Sequence, residues 1–211
     1  MRHFLTKKQL AIILSKLKVF ESPKVSVEQY NTDSEIAATI LWNSGITREF
    51  EDKVIVDLGA GTGILGLGAL LLGADKVFFV ESDGDSLEIA KKNHEMLKSE
   101  FNIGKAIFLN QKIEEFNEKC DFAIQNPPFG TKKEHADKEF LEKAFSLAPI
   151  IYTFHKASTD EFIKKIVDKN NFLIKNEWLF NFPIKKTQSF HKKPVKKILV
   201  KVYRLEKQNI Y

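Results

Sequence analysis

The sequence predicts an α/β fold: a mostly parallel, doubly wound, seven-stranded sheet that ends in an antiparallel hairpin and is preceded by N-terminal helices. Three observations carry this reading. Short apolar runs of strand length alternate with helix-length amphipathic stretches between residues 54 and 168. One such run, Val54–Leu58, passes directly into glycines at 59, 61 and 63 and then into a helical pattern. Residues 172–182 and 195–205 read as two long strands joined by a Pro- and Lys-rich loop rather than by a helix.

Taken in order, residues 6–18 form an amphipathic helix, with Leu10, Ile13, Leu14 and Leu17 on one face and Thr6 as its cap. Residues 20–32 are irregular, because Pro23 blocks a helix there. A second helix covers 33–44. Strand 54–58 then precedes helix 62–72, strand 77–81 precedes helix 84–99, and strand 106–109 leads into a short turn. Strand 122–125 is followed by helix 135–147, and strand 150–154 by a helix to residue 168 capped by Ser158 or Thr159. With no repeat or linker, residues 1–211 are expected to form one domain, residues 1–50 covering a core of 51–211.

Composition narrows the class. The chain has 211 residues, 43% of them hydrophobic, enough for a proper core. Its longest apolar run, residues 64–74, spans 11 residues with interrupting glycines and is too short to cross a bilayer. No signal-peptide pattern is visible, so a cytoplasmic protein without a membrane role is expected. The single cysteine, Cys120, excludes an internal disulfide and a cysteine-based metal site within the chain, and is expected to pack in the core. No metal ligand set is expected. Net charge is +5, yet residues 178–205 hold eight Lys and Arg and no acid, which leaves −3 for the rest. With Phe180, Phe182, Phe190 and Tyr203 interleaved, this stretch reads as a nucleic-acid face, or alternatively as solvated lysines around an edge hairpin.

The most specific feature is Asn126-Pro127-Pro128-Phe129, placed directly after an apolar strand. Strand carboxyl ends are where open α/β sheets bind ligands. Consecutive prolines fix φ and carry no N–H, which leaves the turn's carbonyls free to accept. The Asn126 oxygen and the Pro127 carbonyl, aimed at one point, suit the two donors of an exocyclic NH2. Phe129 offers a face for a flat base.

The glycine turn indicates the co-reactant. Gly59, Gly61 and Gly63 give Gly-x-Gly-x-Gly, one residue short of the dinucleotide fingerprint Gly-x-Gly-x-x-Gly. Asp57 at the strand end would repel a pyrophosphate and attract the sulfonium of S-adenosyl-L-methionine (SAM). Glu81, 22 residues after Gly59, ends the next strand, where an acid can accept both hydroxyls of a ribose. Asp83 and Asp85 read as helix-start charges.

Five segments occur in order: Glu28-Gln29-Tyr30-x-Thr32, Asp57-Leu-Gly-x-Gly-x-Gly63, Asn126-Pro-Pro-Phe-Gly-Thr131, His155-Lys156-x-Ser158 and Phe190-His191-Lys192-Lys193. Together they resemble the small-subunit ribosomal RNA adenine-N6 methyltransferases of archaea and eukaryotes, the methyltransferase-like protein five group. The resemblance spans nearly the whole chain and implies a Rossmann-like SAM-dependent methyltransferase fold. It implies that Gln29 and Thr32 close over the cofactor beside Gly59, Thr62 and Ile64, with Glu81 on the ribose and Asn126 and Pro127 on the target amine. It also implies a small zinc-binding activator subunit as partner; an exposed edge near strands two and three would suit strand addition. One position departs from the pattern: Lys112 stands where such enzymes carry an Asp that bonds the cofactor's adenine amino group. Lysine cannot accept that bond, so adenine recognition is expected from the backbone around Ile113 or from Asn110 or Gln111.

The expected chemistry is in-line methyl transfer to N6 of an adenosine in RNA. His155 and Lys156 are read as substrate-facing, toward phosphate, with helix entry as the alternative for His155. Phe190, His191, Lys192 and Lys193 are read as RNA contacts whose binding weakens steeply with salt. Rival readings are a protein-glutamine or DNA amino-methyltransferase and a non-catalytic RNA-binding module; the glycine spacing disfavours a nicotinamide oxidoreductase.

Overall fold

A computed structural model describes residues 5–20, 32–46, 48–128, 136–184 and 196–208. Among the described residues six α-helices and seven strands follow in the order α1 (Lys7–Ser15), α2 (Ser34–Ile46), β1 (Val54–Leu58), α3 (Ile64–Leu71), β2 (Lys76–Glu81), α4 (Gly84–Glu100), β3 (Lys105–Asn110), β4 (Phe122–Gln125), α5 (Ala136–Leu147), β5 (Ile150–Lys156), α6 (Asp160–Lys169), β6 (Phe172–Ile184) and β7 (Lys196–Lys207). The seven strands form one sheet in the order β3-β2-β1-β4-β5-β7-β6. The first five are parallel, and β7 is antiparallel to both β5 and β6. The predicted class is the observed one.

Local chemistry explains several boundaries. Thr6 caps α1 through a reciprocal pair: its hydroxyl accepts from the Gln9 N–H while the Gln9 side chain accepts from the Thr6 N–H. The helix stops at Ser15, earlier than the pattern suggested, because the Lys16 and Leu17 N–H groups tighten onto the carbonyls of Ile13 and Leu14. β5 runs two residues past the expected end because β7 pairs with it through Lys156↔Val200. Thr159 stands at the N-cap of α6, as expected, but its side chain makes no capping bond to the helix. The chain enters that helix through a 3-10 turn, residues 157–159, in which the Thr159 hydroxyl donates to the Lys156 carbonyl.

Each face of the sheet is covered by its own core. On one side Leu10, Leu14, Ile40, Leu41, Leu67, Leu70 and Leu87 from α1 to α4 pack on Ile55, Phe79, Phe122 and Tyr152. On the other, Leu141, Ala144, Ile163 and Val167 from α5 and α6 pack on Val56, Ala123, Ile151 and Tyr203. Cys120 is buried in the second cluster, where burial pushes its thiol up to about 12, so it is a packing residue. β3 forms one sheet edge, whereas β2 is paired on both sides. Among the described residues no helix is long and apolar enough to cross a membrane.

Candidate active site

After β1 the chain builds outward through β2 and β3, then returns to lay β4 on the other flank of β1, so the reversal point lies between β1 and β4. Register places the site there. Leu58 pairs with Val80 on one side and with Gln125 on the other, so the next residues, Gly59, Glu81 and Asn126, emerge side by side.

Gly59, Gly61 and Gly63 have φ of +68°, +54° and +87°, the left-handed region that glycine enters without a Cβ penalty. A Cβ at Gly59 would also meet the Phe140 ring at 2.8 Å. The turn is tied to the neighbouring strand: the Gly59 and Ala60 N–H groups both donate to the Val80 carbonyl. The Gly61 N–H donates to Glu81 Oε2 at 2.9 Å and the Asp83 N–H to Oε1 at 2.8 Å, which orients the Glu81 carboxylate. Oε1 also receives the Ser82 hydroxyl at 3.5 Å, whereas Oε2 receives the Gly61 N–H and keeps a second acceptor direction for a ribose hydroxyl. Asp83 caps α4, as expected of a helix-start charge. Thr62 and Ile64 are buried, so backbone rather than side chain is what they can turn toward a ligand.

The direct ionic role expected of Asp57 is corrected. Its side chain is 1% exposed, and Oδ2 accepts from the Gly66 N–H at 2.8 Å inside α3. It fastens the start of that helix to β1 from behind the glycine turn, where a carboxylate also suits the helix dipole. Burial raises its pKa to about 7 despite the Gly66 bond, with Glu81 adding repulsion. A raised carboxyl pKa favours the folded state below the unfolded value near 3.8 and loses that contribution as pH rises through about 7. Asp57→Asn keeps an acceptor for Gly66 but does not titrate. Thermal unfolding of that variant is expected to lack the fall in Tm that the parent shows, on this account, between about pH 4 and 7.

Asn93 was not legible as a site residue. From α4 its amide accepts from the Lys18 N–H at 2.8 Å and donates to the Lys18 carbonyl at 2.9 Å and the Thr62 carbonyl at 3.0 Å. It fixes the end of the α1 segment to the glycine turn, and the Phe20 ring lies over Gly61.

Asn126 is held from the other side. Its Nδ2 donates to Thr32 Oγ1 at 2.9 Å across 94 residues, which sets the amide orientation. Its Oδ1 is buried and has no hydrogen-bond partner. Among the described residues only three buried side-chain polar atoms are left so: Asn126 Oδ1, Gln125 Oε1 and His155 Nδ1. All belong to the carboxyl ends of β4 and β5. Because an unpaired buried acceptor costs on the order of 1–3 kcal/mol, the Asn126 oxygen marks a place built for a donor from outside. Pro127 is buried and Pro128 half-buried beside it.

Other expected residues are distributed differently. Ile113 is buried at the start of a 3-10 turn preceded by Lys112. The Asn110 amide donates to the Glu81 and Ser82 carbonyls, so its nitrogen is committed to linking β3 and β2. The expectation that His155 meets the substrate is corrected: it is 1% exposed, enclosed between β4, α5 and β7, and cannot reach phosphate. Lys156 is partly exposed at the end of β5. Gln29, Phe129, Phe190, His191, Lys192 and Lys193 lie outside the described residues. The described residues hold no cluster of His, Cys, Asp and Glu able to bind a metal.

Comparison with known proteins gives four concordant findings. The family model of the methyltransferase small domain matches residues 28–149. The rRNA N(6)-adenosine-methyltransferase METTL5 of Danio rerio is 33% identical over 88% of this chain and 91% of its own length. The Drosophila melanogaster Mettl5 enzyme, also an rRNA N(6)-adenosine-methyltransferase, is 34% identical over 89% of this chain and 90% of its own. A Pyrococcus horikoshii protein crystallised as a candidate RNA methyltransferase superposes with a TM-score of 0.85 at 39% identity, over 95% of this chain and 98% of that one.

Proposed function

Because the chain belongs to the methyltransferase small domain family, in the group of the rRNA N(6)-adenosine-methyltransferases, we propose that it methylates the exocyclic N6 of an adenosine in small-subunit ribosomal RNA with SAM as donor. The observation that carries the acceptor half is the Asn126 amide, locked by Thr32 with its oxygen buried and unpaired. The carbonyl of Pro127 provides the second acceptor.

The residues fit the cofactor. The backbone of Gly59, Gly61, Thr62, Gly63 and Ile64 would hold it, Glu81 would accept from its ribose, and Ile113, Gln29 and Thr32 would complete its site. When bound, SAM supplies a methyl group on a positively charged sulfur. Asn126 and Pro127 bond the two N6 hydrogens, which favours a pyramidal nitrogen with a localised lone pair. The transferred methyl would gain its bond to N6 as its bond to sulfur breaks, and the extra proton would leave to water. Orientation and oriented dipoles supply the acceleration, without a strong base. Phe129 stacks on the extruded base. Lys156, Phe190, His191, Lys192 and Lys193 contact RNA. The β3 edge receives a small zinc-binding activator subunit by strand addition in a cytoplasmic heterodimer, and the protein is otherwise monomeric.

The test is nucleoside mass spectrometry of small-subunit ribosomal RNA incubated with the protein and SAM. N6-methyladenosine is the expected new nucleoside. Methyl transfer confined to protein glutamine, or to another base, would overturn the assignment.

A further inference from the structure

The segment carrying the acceptor turn leaves the sheet at Gln125, and α5, with Asp137 in its first turn, follows it. β5 reaches both residues. Gln125 pairs in register with Thr153, and its Nε2 donates to Thr153 Oγ1 at 3.0 Å. Thr153 Oγ1 lies 2.8 Å from His155 Nε2, and His155 Nδ1 lies 3.7 Å from Asp137 Oδ2. Gln125, Thr153 and His155 are buried.

The hydrogen inventory fixes the direction of this row. The Asp137 carboxyl, held below its usual range chiefly by His155, can only accept. His155 therefore carries its hydrogen on Nδ1, its Nε2 accepts from the Thr153 hydroxyl, and the Thr153 oxygen accepts from Gln125. Every donor points the same way, from β4 to α5. Burial lowers the His155 pKa, Asp137 opposing, which agrees with a neutral ring. The charges facing His155 from β7 and α6 satisfy one another: Lys201, opposite it in register, pairs with Asp160 at 3.0 Å and Glu177 at 3.1 Å, and the Tyr203 hydroxyl donates to Asp160 at 2.7 Å. Asp137 is thus the carboxylate left to His155. At 3.7 Å the final link is longer than a closed hydrogen bond, which is why Nδ1 is among the three unpaired buried atoms.

We propose that Gln125, Thr153, His155 and Asp137 form a staple that closes the base of the acceptor loop, with His155 and Asp137 as positioning residues; this rests on the methyl transfer proposed above. Asn126 adjoins the stapled Gln125, so the orientation of its oxygen depends on both ends of the loop being held. A displacement near 1 Å at a reacting centre costs about 100-fold in rate. A row that served only to satisfy buried groups would change stability when broken, not turnover alone.

Asp137 is the place to break it, since its side chain is 17% exposed and truncation opens little cavity. In a tritiated-methyl transfer assay, Asp137→Ala is expected to lower kcat by about 10- to 100-fold. SAM affinity by calorimetry should stay within about twofold and Tm nearly unchanged. Asp137→Asn, whose amide oxygen still accepts from Nδ1–H, should return kcat to within about threefold of the parent. Imidazole nitrogen NMR of the parent should show His155 as the neutral Nδ1–H tautomer, a state lost in Asp137→Ala. Unchanged kcat in the Ala variant, an Asn variant no better than Ala, or an Nε2–H tautomer in the parent would each overturn the staple. A parent inactive on RNA would refute the proposed function instead, and the tautomer measurement then decides the staple by itself.

Discussion

Asn126→Ala is expected to lower methyl transfer to RNA by about 100- to 1,000-fold, the usual consequence of removing one fixed dipole from developing charge. The variant loses the acceptor that bonds an N6 hydrogen, while the turn stays shaped by Pro127 and Pro128. It also frees Thr32, whose bond to Asn126 is neutral and accounts for about 1 kcal/mol, so SAM should bind only a few-fold more weakly. Thr32→Val separates the two contributions. It retains Asn126 Oδ1 but leaves the amide free to rotate, and should show a smaller loss, about tenfold, with similar SAM affinity. Parent-like turnover of the Ala variant with tritiated SAM would remove Asn126 from the mechanism.

The largest expected effect on stability lies far from the chemistry. Gly104 joins α4 to β3, where the Lys105 N–H donates to the Asp75 carbonyl at 2.7 Å. A Cβ at Gly104 would be driven into the carbonyl oxygens of Ala74 and Asp75. These are backbone atoms of the connection into β2, so no rotamer change relieves the overlap. Gly104→Ala is expected to destabilise the protein by about 3 kcal/mol, the upper part of the range for overpacking. That corresponds to a fall in Tm of roughly 6–12 °C for a chain of this size. Thermal unfolding followed by circular dichroism checks it; a change under about 2 °C would mean that the two segments separate readily.

What the sequence made legible is what neighbouring residues encode. The strands at Val54–Leu58 and Phe122–Gln125 were read to the residue because each is an apolar run stopped abruptly, by Gly59 and by Asn126-Pro127. The glycine turn and the acceptor turn follow from consecutive residues in the same way. Where side chains depend on distant partners, the reading fell short. Asn93 is one polar residue in a helical pattern, and its partners are backbone groups of Lys18 and Thr62. His155 looked like a residue at a strand end; the pairing of β7 with β5 and the approach of Asp137 enclose it. Asp57 carries a charge whose direction only the packing of α3 decides.

Gly59 and Asn126 leave from neighbouring strands paired residue for residue, so the gap between the glycine turn and the Asn126 turn inherits the interstrand repeat of about 4.8 Å. Backbone bonding, not side-chain choice, holds that gap constant.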